Sequence, residues 1–137
     1  MENKPMRIGQ VAERTELSIK TIRHYDDVGL VTPSERSGGG FRLYTESDVE
    51  RLLVIRRMKP LGFTLEEMKQ LLESLSILAD DAADPLSQAT ATEFISACYT
   101  RAEDSCNHLR KQLAYAEELT AVLAAPISAE FPAQLRP

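Results

Sequence analysis

The sequence has no tryptophan, only two cysteines and only two histidines among its 137 residues. Two cysteines give no disulfide framework, and they point instead to reduced thiols in a cytoplasmic protein. No run of residues approaches the ~18 consecutive apolar positions that a membrane span needs, so no membrane partner is expected. Residues Met1 to Met6 are polar and precede no apolar stretch, which argues against a signal peptide. Also missing are a nucleophile–base constellation, a phosphate-binding loop and a paired-acid pattern. The chain is therefore expected not to be an enzyme, and no cofactor is called for.

What is present fits a folded protein. The apolar share of 43% is near the globular norm of roughly 45–50%. The length suits one compact domain plus an appendage. The net charge of −5 hides an asymmetry: residues 1–72 hold 12 Lys/Arg against 11 Asp/Glu (+1), and residues 73–137 hold 4 against 10 (−6). The basic side chains gather in the first half, and charge distribution bears on partners more than on fold.

Read along the chain, Ile8, Val11 and Ala12 recur at helical spacing and meet a polar turn at Thr15-Glu16. Ser18 is a suitable N-cap for a second helix to about Val28, with Ile19 and Ile22 as its buried stripe and Lys20, Thr21, Arg23 and His24 mostly outward. Gly29 suits a left-handed stop. Two short helices across a tight turn are a helix-turn-helix pattern. Leu30 and Val31 begin an extended segment, Ser37-Gly38-Gly39-Gly40 makes a flexible tip, and Phe41-Arg42-Leu43-Tyr44 returns as a short strand, together a wing. Thr45 with Asp48, then Thr64 with Glu67, open two further helices as capping boxes, and Pro60 stops the first of them.

Residues 79–92, small, acidic and broken by Pro85, read as a linker. From Glu93 to Ala124 there is neither Gly nor Pro, and Ile95, Cys98, Ala102, Cys106, Leu109, Leu113, Ala116, Leu119 and Leu123 recur at spacings of three or four. That is a helix of about 30 residues, near 45 Å at ~1.5 Å per residue. So long an apolar stripe needs a partner helix. The expected organisation is mainly α: a winged helix-turn-helix domain over 1–78, a linker over 79–92, a dimerisation helix over 93–124 and a loosely ordered tail over 125–137.

Residues 7–72 resemble the DNA-binding domain of the MerR family of transcription regulators. The resemblance rests on Ile8-Gly9-Gln10-Val11-Ala12, Thr21-Ile22-Arg23-His24-Tyr25-Asp26, Gly29-Leu30, Pro33, Gly40-Phe41-Arg42-Leu43-Tyr44 and Leu61-Gly62-Phe63-Thr64-Leu65. Departures are His24 where Tyr is frequent, Asp26 for Glu, Phe41 for Tyr, and Pro60 just before the last segment; they bear on base preference. The resemblance implies a homodimer joined by an antiparallel coiled coil. It binds an inverted repeat in double-stranded promoter DNA, and a small effector or stress signal makes it distort that DNA for RNA polymerase.

The candidate DNA-binding residues are Lys20, Thr21, Arg23, His24 and Tyr25 on the second helix, and Arg36, Arg42 and Tyr44 on the wing. The helix set suits base edges and phosphates in the major groove, and the wing arginines suit the flanking backbone. Against this stands an ordinary solvated helix face, with Tyr25 in the core. Arg56 and Arg57 are equally placed to touch phosphate or to stabilise a helix end. Cys98 and Cys106 lie ~12 Å and ~80° apart on one helix. That excludes an intrachain disulfide and joint chelation of one metal. Metal sensors of the family carry cysteines after the dimerisation helix, where this chain has neither Cys nor His beyond Ala124, so no metal site is expected. The two thiols remain candidate redox or effector residues, weighed against a role as small seam residues. An architectural DNA-bending protein such as an excisionase is the rival reading, and the long helix argues against it.

Overall fold

The computed structural model describes residues 4–130. The elements are α1 (Ile8–Thr15), α2 (Ile19–Asp27), β1 (Glu35–Arg36), β2 (Arg42–Leu43), α3 (Glu46–Met58), α4 (Leu65–Ala79) and α5 (Pro85–Glu130), with a single 3-10 turn over Lys59–Leu61. The fold is mainly α, and β1 and β2 form one antiparallel pair, Glu35 opposite Leu43 and Arg36 opposite Arg42. The chain packs as two units, Met1–Ser96 and Ala97–Pro137.

The first unit has a continuous core. Val11, Ile22, Val49, Leu52 and Ile55 are fully excluded from solvent, and Tyr25, Val31, Tyr44, Phe63, Met68 and Leu72 are nearly so. These positions lie three or four apart on their helices, so α1 to α4 each turn one apolar stripe inward. The caps follow the sequence. Ser18 Oγ accepts from the Thr21 amide at 3.0 Å, Thr45 Oγ1 from the Asp48 amide at 3.2 Å, and Thr64 Oγ1 from the Glu67 amide at 3.1 Å. In the last two helices the acid reaches back to the cap's own amide, which satisfies two orphan donors reciprocally.

Two stripes are narrower than their spacing suggests. Ile19, at the first position of α2, is 39% exposed rather than core, and Leu65 at the first position of α4 and Leu78 in its last turn are similarly open. End positions of a short helix project past the neighbour that buries its middle. The wing is also shorter than expected: Leu30 and Val31 are buried beside α2 rather than paired as a strand, and only two residues on each side form the ladder.

The largest correction concerns residues 79–92 and 125–130. α5 begins at Pro85 and continues to Glu130, 46 residues. The linker is thus no more than 80–84. Proline at the first helical position is a starter rather than a breaker, because its missing N–H is an orphan there anyway. The preceding Asp84 supplies the cap, its carboxylate accepting from the Ser87 amide and hydroxyl, each at 2.8 Å. These bonds hold the Asp84 carboxyl below its ordinary pKa. The tail expected over 125–137 is helical through 130, across Pro126; its remainder, 131–137, lies outside the described residues.

In the second unit α5 stands without cover. Leu109, Leu113, Leu119 and Leu123 are each half or more exposed. No helix among the described residues is long and apolar enough to cross a membrane.

Candidate nucleic-acid interface

The outward face of α2 is set by what its inward face buries. Ile22 and Tyr25, three residues apart, are sunk in the core; Lys20, Arg23 and His24 are consequently exposed and Thr21 half-exposed. Thr21 is partly committed, because its Oγ1 accepts from the Ser18 hydroxyl at 2.8 Å. Tyr25 is only 4% exposed, so its ring belongs to the core, with the His24 ring tilted against it at 6.0 Å.

The turn between α1 and α2 is held from a distance. Arg56 of α3 donates to the Thr15 carbonyl at 2.7 Å, and the Thr15 hydroxyl bonds the Val11 carbonyl at 2.8 Å. Of the two roles open to Arg56 from sequence, the contact supports the structural one: it fixes the angle at which α2 is presented. Glu16 in the turn has φ of +59°, a left-handed conformation that costs a residue with a Cβ about 1–2 kcal/mol. Arg57, the next residue of α3, is exposed. Arg14 adds a two-pronged pair to Glu46 across α1 and α3, at 2.7 and 2.5 Å, which holds the Glu46 carboxyl below the usual carboxylate range.

The wing is anchored at base and side. At its base, Asp48, wholly buried, accepts from the Ser34 amide at 3.0 Å, the Ser34 hydroxyl at 2.6 Å and the Thr45 amide at 2.8 Å, and pairs with Arg51. A carboxylate can be buried when its lone pairs are filled in this way. At its side, Arg42 of β2 pairs with Asp26 of α2, so the wing and the recognition helix are tied together. The tip closes on Gly40, at φ +82°, whose carbonyl accepts from Arg36 at 3.2 Å. Tyr44 exchanges two backbone bonds with Met6, both 2.7 Å. Its side chain is 2% exposed, and burial, helped by the charges of Asp26 and Asp48, pushes its hydroxyl up to about 12.

The sequence-derived candidates therefore separate into two groups. Lys20, Arg23, His24, Arg36 and Arg42 are exposed and Thr21 is half-exposed, with Arg23 and Arg42 lining one cleft, whereas Tyr25 and Tyr44 are buried. Arg7 escaped the sequence reading: its guanidinium lies over the Phe41 ring, 4.8 Å from the centroid. Phe41, where the resemblance leads to Tyr, is 58% exposed at the wing. In the second unit Cys98 is half-buried and Cys106 exposed, and among the described residues no three His, Cys, Asp or Glu side chains are grouped to hold a metal.

A short helix presenting a basic face, tied to a two-stranded wing with arginines on it, defines a winged helix-turn-helix. The chain matches the MerR HTH family regulatory protein model over residues 6–75 and the "MerR, DNA binding" model over residues 49–125. It belongs to the MerR family of transcriptional regulators. The HTH-type transcriptional regulator HmrR of Rhizobium leguminosarum bv. viciae is 49% identical over 67 residues, covering 49% of this chain and 51% of that protein. The match thus spans about half the length of that curated relative. A MerR-family regulator from Bacillus thuringiensis superposes with a TM-score of 0.70 at 23% identity over 86% of this chain and 98% of the other, a likeness of fold. The regulator PbrR691 from Ralstonia metallidurans, solved in complex with lead(II), is 30% identical over 85% of both chains, with a TM-score of 0.50. These relatives are transcriptional regulators, not enzymes.

Proposed function

We propose that the chain is a homodimeric, cytoplasmic regulator that binds an inverted repeat in promoter DNA and controls transcription by distorting that DNA for RNA polymerase. The observation that carries the reading is the exposed face of α2, Lys20, Arg23 and His24, beside a wing held to it by Arg42 and Asp26. A helix of this size fits the major groove, where Arg and Lys read guanine edges and Thr and His reach bases or phosphates. Arg36 and Arg42 then face the flanking backbone, Arg42 exchanging Asp26 for a phosphate.

Dimerisation is supported by α5. Its apolar stripe, with Leu109, Leu113, Leu119 and Leu123 open to solvent, is a surface that a second copy of the helix can cover. Pairing two recognition helices on one rigid arm converts two weak contacts into one tight and spaced contact. Cys98 and Cys106 lie on that helix and are the candidate positions for redox or effector input.

The test is selection of bound duplexes from a random pool at fixed salt, then footprinting of the winner. A dyad-symmetric site with half-sites one helical turn or more apart is expected. An asymmetric site, or no enrichment above salt-sensitive background, contradicts the reading.

A further inference from the structure

Arg7, Arg23 and Arg42 line one open cleft of about 390 Å³, with Phe41, Tyr44 and Asp26 among its walls. They come from three places in the sequence: the residue before α1, the outer face of α2, and the return strand of the wing. Of the three guanidiniums, only Arg42 has an acid partner, Asp26; Arg7 and Arg23 form no ion pair among the described residues. Asp27 lines the cleft as well as Asp26, so three guanidiniums face two carboxylates and the wall keeps a net positive charge that an anion complements. The arrangement of Arg7 is specific. Its guanidinium carbon lies over the Phe41 ring, 4.8 Å from the centroid, an attraction of the cation to the ring quadrupole. A contact of this kind restrains the side chain without consuming its N–H donors in conventional hydrogen bonds. An arginine so restrained keeps its fork of donors for a phosphate.

We propose that Arg7 is a phosphate ligand of the DNA interface, completing with Arg23 and Arg42 a seat for one backbone phosphate, and that Phe41 holds it there. The inference rests on the DNA-binding reading above. It assigns Phe41 a role that an aromatic hydroxyl does not need to fill: the ring locks the wing tip to the start of α1 and aims the cation. Because phosphate contacts carry no base information, Arg7 contributes to affinity on every sequence and little to choice among sequences.

The experiment uses the full chain and its selected duplex, with affinity measured across a range of salt concentrations for wild type, Arg7→Ala, Arg7→Lys, Phe41→Leu and Arg23→Ala. Arg7→Ala is expected to weaken binding about 5–10-fold and to lower the salt slope by about one unit, equally on selected and scrambled duplexes. Arg7→Lys is expected to keep the slope, because it keeps the charge. Phe41→Leu is expected to weaken binding less, and to have no further effect once Arg7 is Ala. The backbone amide of Arg7, which donates to Gln10 Oε1 at 3.2 Å, survives the substitution, so thermal melting should not move. Weaker binding by Arg7→Ala at an unchanged salt slope overturns the proposal, since it would make Arg7 a wing support only. Unchanged binding by Arg7→Ala with loss in Arg23→Ala also overturns it and leaves the DNA-binding reading standing. Unchanged binding in both overturns the two together.

Discussion

The two units of the chain satisfy their apolar and polar groups in opposite ways. In Met1–Ser96 the apolar stripes of four helices meet one another, and Asp48, a fully buried carboxylate, is saturated with donors. In Ala97–Pro137 the described residues are a single helix whose leucines face water. An isolated helix in water gains little from its own hydrogen bonds, and its stability comes from packing of its apolar face. The first unit thus buries its own apolar stripes, whereas the helix of the second leaves its leucines open. Under the proposed function, that difference is a division of labour between reading DNA and pairing two readers.

The predictions probe that contrast. The largest effect should come from charging the arm: Leu113→Glu together with Leu119→Glu should break the dimer and weaken binding to a dyad-symmetric duplex by about 10²–10⁴-fold, through lost avidity alone. The melting of the first unit should stay as it was. If the double variant binds as wild type does, the arm is not the pairing surface.

Next in size is the base of the wing. Asp48→Ala strips the acceptor from two amides, a hydroxyl and a guanidinium, and should cost about 3 kcal/mol. Urea unfolding should show a lower midpoint at unchanged slope. A loss under ~1 kcal/mol would mean that water replaces the carboxylate readily and that the wing base is less dry than its burial implies.

Tyr44 makes a pH-dependent contribution of similar order. Its hydroxyl is raised from the ordinary value near 10 to about 12 in the folded chain. The unfolded chain therefore loses this proton first. Stability is intact below pH 10 and falls as pH rises from 10 toward 12, by roughly 2–3 kcal/mol at full effect. Tyr44→Phe should remove most of that alkaline loss relative to wild type in matched unfolding curves. Parallel curves for the two proteins would show that Tyr44 titrates normally.

The smallest effect is a gain. Glu16 occupies a left-handed conformation at φ +59° in the turn before α2. Glycine has no Cβ to clash there, so Glu16→Gly should stabilise the first unit by up to about 1 kcal/mol. Its weak pair with Arg56, at 3.9 Å and largely exposed, subtracts little. A destabilised variant would show that this pair or the turn's unfolded state outweighs the strain.

Much of the first unit was legible in the sequence because its signals are local. Ser18, Thr45 and Thr64 announce three helix starts, Gly29 and Gly40 mark reversals, and the spacing of Ile22 from Tyr25 turns Arg23 and His24 outward. Contacts between distant positions were not legible. Arg56 reaches back to Thr15, Arg42 crosses to Asp26, and Arg7 meets Phe41 only because the wing folds beside α1. Nor was the burial of Tyr25 and Tyr44 legible, because aromatic rings with hydroxyls suit both core and phosphate, and only the fold shows their rings packed inside. The place of Pro85 at the start of α5 was not legible either, because composition does not say whether a proline opens a helix or breaks one.

The pairing of two readers through α5 is the central claim, and sedimentation equilibrium of the full chain, alone and with its selected duplex, tests it most directly. The account predicts a species of twice the 15.3 kDa chain mass at micromolar concentration and two chains per duplex in the complex. A single-chain mass throughout, with one chain per duplex, would contradict it.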